Sequence, residues 1–294
     1  MKRGWLLGGL VVAGSVLFQG CSSMGGGQNK APELSASDVK RLVAATEGVS
    51  SEHKARYADR HPVETLRFLG IKPGSTVVEA LPGGGWYSQI LLPYLGEEGR
   101  LIGVDYSADM WPHFGGFATP AFIEGRKKWP AEWTADAKTW SDVGAKPSAY
   151  TFTSMPADLE GKADAVLFIR ALHNLARFED KGGYLTQALA ETHRVLKPHG
   201  IVGIVQHAMD ESVPDEWAKG DRGYLKRSFL MAVMDKAGFD FVAESDVNKN
   251  PKDKPKEGDV VWRLPPSLNT DESQKAANAA IGESNRVTLL FKKR

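Results

Sequence analysis

A chain of 294 residues is long for one domain and short for two, which predicts a single α/β core carrying insertions. Its 42% hydrophobic content can fill such a core, and 37 Lys and Arg against 36 Asp and Glu leave a formal net charge of +1. With no global field to hold a polyanion, binding to nucleic acid is disfavoured.

Lys2 and Arg3 precede an apolar run over residues 5–18, and Gly20 and Cys21 follow, the latter being the only cysteine. The run is too short to span a bilayer. This order of charge, apolar run and Gly-Cys resembles a bacterial lipoprotein signal, in which residues 1–20 are removed and Cys21 is acylated, although Phe18 stands where Leu is usual. An uncleaved anchor or an ordinary signal peptide is the plainer alternative. Residues 21–35, rich in Gly, Ser and Gln as far as residue 31, read as a flexible tether. Ser22 after the cysteine points to the outer membrane, facing the periplasm, if the source is Gram-negative. A single cysteine makes no intramolecular disulfide, so stability must come from the core of residues 36–294.

Ser37 is the expected cap of a first helix carrying Val39, Leu42 and Val43. Pro62 suits the first turn of a second, which carries Leu66 and Leu69 and closes at Gly70. Arg60 and His61, just before it, read as a surface cap. Lys72-Pro73-Gly74 then turns the chain into a first strand over 76–80, whose apolar character fits burial on both faces. That strand carries Glu79 near its end and runs through Leu81-Pro82 into Gly83, Gly84, Gly85, Trp86 and Tyr87, opening a helix that reaches about residue 95 and stops at Gly96. A helix N-terminus offers unpaired N–H groups, and residues without Cβ let the backbone approach a nucleoside-bearing ligand closely.

A second strand over 101–104 is followed by Asp105, 22 residues beyond Gly83, a spacing that suits a carboxylate reaching ribose hydroxyls. Residues 106–150 are an insertion too long for an ordinary βα connection and hold Trp111, Trp129, Trp133 and Trp140. Trp129 and Trp133 share a helical face, and a small cap packed on its own aromatics is expected rather than an aromatic cage for substrate. A third strand is expected near Phe152 and a fourth over 165–169. A helix over 184–196 places Leu185, Ala188, Leu189, Thr192, Val195 and Leu196 at the 3.6 period. The turn Leu196-Lys197-Pro198-His199-Gly200 enters a fifth strand over 201–205. A helix over 224–237, a strand over 239–243 and a last strand over 286–291 complete the pattern. Between those strands, the Lys/Pro/Asp-rich excursion 248–284 is expected to be partly loop and mobile.

From about Pro62 to the C-terminus these residues resemble the class I S-adenosylmethionine-dependent methyltransferases, and within them a bacterial group of predicted methyltransferases marked by the Gly-Gly-Gly-Trp-Tyr turn. Glu79, Gly83 and Gly85 match the acidic residue and later glycines of the first cofactor motif. Asp105 matches the ribose-binding carboxylate, and residues 196–200 match the turn into the fifth strand. The resemblance implies an α/β, Rossmann-like seven-stranded mixed sheet, its last strand antiparallel beside the sixth, with helices on both faces and a Trp-rich helical insertion. It implies S-adenosylmethionine as cofactor, held by Glu79, Gly83, Gly84, Gly85 and Asp105; Ser154, near the end of the third strand, is the candidate adenine contact, with a structural loop serine as the equal alternative. It also implies methyl transfer to an unidentified small acceptor. Leu81-Pro82 departs from the pattern, standing where the first glycine is usual and stiffening the turn.

His173 and Asn174 follow the fourth strand and His207 the fifth, at the strand ends where such sheets bind ligands, which makes them the candidate catalytic residues. His173 is the candidate base for an acceptor that must lose a proton. The plainer reading of each histidine is a hydrogen-bonded loop residue. A metal site from His173, His207 and Asp210 is conceivable, but no metal is expected. Partners are then a small-molecule acceptor and, through Cys21, the membrane. The alternative, from a different class, is a non-catalytic envelope lipoprotein binding another nucleoside or an apolar ligand. Leu81-Pro82 favours it, and so does export, because the cofactor is a cytoplasmic metabolite. A nicotinamide oxidoreductase is disfavoured by Glu79 just before the turn and by the added antiparallel strand.

Overall fold

Strands β1 (Thr76–Ala80), β2 (Arg100–Asp105), β3 (Lys146–Thr151), β4 (Ala163–Ile169), β5 (Leu196–Met209), β6 (Leu225–Lys226), β7 (Phe239–Ser245) and β8 (Arg286–Lys293) build one sheet in the computed structural model. The described residues are 32–294, so the expected signal segment, Cys21 and residues 21–31 of the tether lie outside them. Strand order is β3-β2-β1-β4-β5-β8-β7, with β6 hung on the end of β5. The first five are parallel, and β8 runs antiparallel to both neighbours. This is the expected Rossmann-like mixed sheet with its last strand antiparallel, plus one two-residue strand.

Alternation along the strands sends successive apolar residues into two cores. Val77, Leu101 and Leu167 meet Leu42, Leu66 and Leu91 from helices Ala36–Glu47, Pro62–Leu69 and Ser88–Leu95 on one face. Val78, Val104 and Phe168 meet Leu175, Leu189 and Leu230 from helices Leu172–Arg177, Tyr184–Val195 and Arg227–Lys236 on the other. Among the described residues, no helix is long and apolar enough to cross a membrane.

Several local expectations change. The first helix is capped by Ser35, not Ser37: the Ser35 hydroxyl accepts from the Asp38 N–H, and the Asp38 carboxylate accepts from the Ser35 N–H, a reciprocal capping box. Residues 224–226 are not helical. Tyr224 is buried, and Leu225 and Lys226 pair with Ala208 and Met209, so the helix begins at Arg227. The 196–200 turn is absorbed into β5 as an irregularity with His199 at φ 63°, after which Ile201 resumes pairing with Ala165. β5 also continues past Val205. His207 therefore lies within a strand, opposite Arg286 of β8, rather than after it.

The 248–284 excursion carries its own helix, Glu272–Ile281, and is tied to the core at both ends. Asn248 Nδ2 donates to Thr65 Oγ1 and Thr288 Oγ1 at 3.0 and 2.9 Å. Asp253 is buried against Arg263 Nη2, at 3.0 Å, and the Tyr224 hydroxyl. Paired burial of this kind leaves few unsatisfied groups, which allows a polar segment to pack rather than float.

Candidate functional site

A cleft of about 670 Å³ opens over the carboxyl ends of β2, β1, β4 and β5. Its floor starts where β1 turns. Leu81 adopts the left-handed region (φ 55°) that glycine would take without strain, and its N–H donates to Val104 O at 2.7 Å. Gly83 and Gly84 follow with no atom within 4 Å of where a Cβ would stand, and both line the cleft. Gly85 does not. A Cβ there would lie 2.3 Å from Trp140, so this glycine admits the indole of the insertion rather than a ligand.

Glu79 is also withdrawn from the cleft. Its carboxylate lies beneath the turn and accepts from the Ser88 hydroxyl at 2.6 Å, fastening the first residue of helix Ser88–Leu95 to β1. Burial raises its pKa to about 7, and the Ser88 bond offsets only part of that. The helix starts at Ser88 rather than at the glycines, so Glu79 positions the turn from below instead of meeting a cofactor.

Asp105 ends β2 and lines the cleft, but its carboxylate is already paired with Arg126 of the insertion. Arg126 in turn lies over Trp111 and Trp129, at 4.8 and 5.3 Å from their ring centroids. Burial raises Asp105 despite Arg126. The insertion thus does two things. Trp133 is buried against Trp129 and Trp140, as a self-packed cap would be, while Trp111 and Trp129 form a wall of the cleft. Ser154 is exposed and away from this wall. Its hydroxyl accepts from the Thr151 N–H at 2.8 Å and closes the turn after β3, as a structural loop serine would, and it does not line the cleft.

The three candidate catalytic residues do converge. His173, at the start of helix Leu172–Arg177, lies 5.5 Å from the His207 ring and 6.0 Å from Trp262. Its Nδ1 has no hydrogen-bond partner, and burial lowers its pKa to about 4, so the ring is neutral. His207 Nδ1 is 2.5 Å from Ser284 Oγ; burial, then His173 and the nearby arginines, drive it well below its ordinary value. Asn174 Nδ2 donates to the Tyr106 hydroxyl at 2.8 Å and leaves its Oδ1 unpaired. Asp210 stands apart, exposed and bonded to Ser212.

Sequence reasoning missed the strongest electrostatic feature, a ring of guanidiniums around Glu283. Arg60 Nε and Arg286 Nη1 donate to its two oxygens at 2.8 and 2.9 Å, Arg56 pairs with Oε1, and Arg170 Nη1 lies 3.6 Å from Oε2. Burial acts to raise Glu283, but Arg286, Arg60, Arg170 and Arg56 outweigh it and hold the carboxyl below its usual range. Arg60 is therefore a buried member of the site and not a surface cap. The i, i+4 spacing of Arg56 and Arg60 and the position of Arg170 at the end of β4 were the available signals. The far wall, Val261 to Ser267 with Trp262, comes from the excursion.

No protein-family model and no curated protein matches this sequence. Among solved structures, the chain is similar to a SAM dependent methyltransferase from Aquifex aeolicus, at 14% identity and a TM-score of 0.47 over 86% of this chain and 98% of that one. It is also similar to the [4+2]-cyclase SpnF, at 16% identity and a TM-score of 0.49 over 90% and 97%. A third is the 1,6-didemethyltoxoflavin-N1-methyltransferase of Burkholderia thailandensis, at 15% identity and a TM-score of 0.43 over 90% and 92%, which was solved with S-adenosylhomocysteine. At such scores the assignment of fold rests on strand order alone.

Proposed function

We propose that this chain binds S-adenosylmethionine and transfers its methyl group to a small acceptor, while tethered to the cell envelope through lipid on Cys21. The observation that carries the reading is the shared placement of open Gly83 and Gly84 beside the Asp105 carboxylate, on a sheet whose last strand is antiparallel between β5 and β7. A nucleoside-bearing ligand fits these residues. The bare glycines would take its amino-acid tail, Asp105 its ribose, and Trp111 and Trp129 a planar base. When bound, the sulfonium supplies an already activated methyl group, so the protein's task is largely to hold the acceptor in line. His173 supports that task as a neutral imidazole whose free Nδ1 can take a proton, and Asn174 offers an unpaired Oδ1 to orient the acceptor. Trp262 and the wall from the excursion close one side of the cleft.

A binding protein on the same sheet is the second reading, favoured by Arg126, which already satisfies Asp105. Calorimetric titration with S-adenosylmethionine and S-adenosylhomocysteine, with nicotinamide dinucleotide as a control, tests the first. Binding of both sulfur ligands and not the dinucleotide is expected. No heat and no thermal shift with either at millimolar concentration overturns it.

A further inference from the structure

The guanidinium ring around Glu283 carries more positive charge than its own carboxylates balance. Arg56, Arg60, Arg170 and Arg286 face Glu283, and among the described residues the one other carboxylate in the network, Asp59, accepts from the Glu283 N–H at 3.2 Å. Four cations thus meet two anions, with Arg60, Arg286 and Glu283 buried and Arg56 and Arg170 half-buried at the cleft, while Asp105 is balanced separately by Arg126. Such an excess is costly in low dielectric unless an anion completes it.

Arg170 is where the excess reaches the cleft. It is held at φ 59°, its N–H donating to Val205 O at 2.6 Å, so the backbone accepts a strained conformation at the end of β4. Among the described residues, its guanidinium makes only the long 3.6 Å pair with Glu283, whose oxygens are already taken by Arg56, Arg60 and Arg286. Its N–H groups are thus free for a ligand in the cleft it lines. Burial, then Arg60, lower its pKa, and the shared Glu283 offsets only part of that.

Position separates this charge from the nucleoside end. Strands lie about 4.8 Å apart, so Arg170 is about 10 Å from Asp105, and Arg286 lies two strands further. The cofactor as a whole does not neutralise the ring: with a sulfonium, an ammonium and one carboxylate it adds a net positive charge, and the reading above places that carboxylate over Gly83 and Gly84. Building on the reading above, we infer that the methyl acceptor is an anion, bearing a carboxylate or phosphate group that binds Arg170 at the guanidinium ring while His173 and Trp262 flank it. Cofactor charge then favours entry of the acceptor, and losing that charge on transfer favours product release.

The test titrates the full-length protein with malonate and inorganic phosphate, using the neutral malonamide as control, after saturation with sinefungin or S-adenosylhomocysteine. Sinefungin keeps a cationic centre where the homocysteine product has none. Malonate or phosphate should bind, at least about threefold tighter with sinefungin, and malonamide should not. Arg170→Gln should weaken anion binding about tenfold or more and leave S-adenosylhomocysteine affinity within about twofold, while Arg170→Lys restores most of it. A melting curve establishes that each variant is folded. Two results overturn the inference: no anion binding to protein saturated with either ligand, or a Gln variant that loses S-adenosylhomocysteine but keeps 5′-methylthioadenosine, which lacks the carboxylate. Anion binding by a protein that ignores all the sulfur ligands sinks the methyltransferase reading and leaves the anion site standing.

Discussion

Replacing Glu79 by Gln should stabilise the protein at alkaline pH and not at acidic pH. The carboxyl is buried with the Ser88 hydroxyl as its hydrogen-bond partner, and its pKa rises from 4.5 to about 7. A folded value above the unfolded one means that the native state prefers the protonated form. Its contribution is fully present below pH 4.5 and is lost as pH climbs through 7. At about 1.4 kcal/mol per pH unit, the difference amounts to about 3 kcal/mol above pH 7. Glutamine keeps the shape and can still accept from Ser88, but it never ionises. Urea unfolding of both proteins, followed by tryptophan fluorescence at pH 5, 6, 7 and 8, isolates this group because all other titrations cancel in the difference. The Gln variant should gain on wild type by roughly 2 to 3 kcal/mol between pH 5 and 8. A difference that stays flat across that range would refute the reasoning, since Glu79 would then titrate as an ordinary surface carboxyl.

The two neighbouring glycines should separate binding from folding: Gly84→Val should melt within a few degrees of wild type yet lose S-adenosylhomocysteine affinity at least about tenfold, whereas Gly85→Ala should cost about 1 to 3 kcal/mol through Trp140. Calorimetry and thermal melts read each. Asp105→Asn should weaken the same ligand by about tenfold or more, and unchanged affinity would assign Asp105 wholly to Arg126. Because His173 stays neutral down to about pH 4, transfer that uses it as a base should hold its rate from pH 8 to pH 5, and His173→Ala should lower that rate about 10²-fold; a wild-type rate that falls through pH 6.5 argues against the assigned environment. Intact mass of membrane-extracted protein should show Cys21 acylated and residues 1–20 absent, and an unmodified Met1 terminus rejects the tether.

What could be read ahead of the structure was local. β1, its turn and β2 were legible because apolar runs, glycines and Asp105 lie within about 30 residues and each type has one conformational reason to be there. Helix Tyr184–Val195 was legible from its period. The guanidinium ring was not, because Arg56, Arg60, Arg170, Glu283 and Arg286 meet only after β4 and β8 have been placed, and no short-range pattern joins Glu283 to Arg170, 113 positions before it, or to Arg56 and Arg60, more than 200 before it. Glu79 and Gly85 were found but given the wrong partner: a motif fixes which residue stands at a turn, not which side of the turn its side chain or its bare Cα will face. Residues 224–226 misled for a related reason, since an apolar Tyr-Leu pair suits a buried two-residue strand as well as a helix start.

The order of the strands also governs how the molecule can be made. β8 follows every other strand in chain order, yet it is an interior strand, hydrogen-bonded to β5 on one side and β7 on the other. Until residue 293 is available, the sheet stops at β5 and β7 has no partner, so a nascent chain displays two open edges rather than a nearly finished domain. Losing residues 286–294 would remove Arg286 and split the sheet, whereas losing residues 32–35 would touch no strand. The two halves of the sheet are therefore joined only by the strand that comes last in chain order.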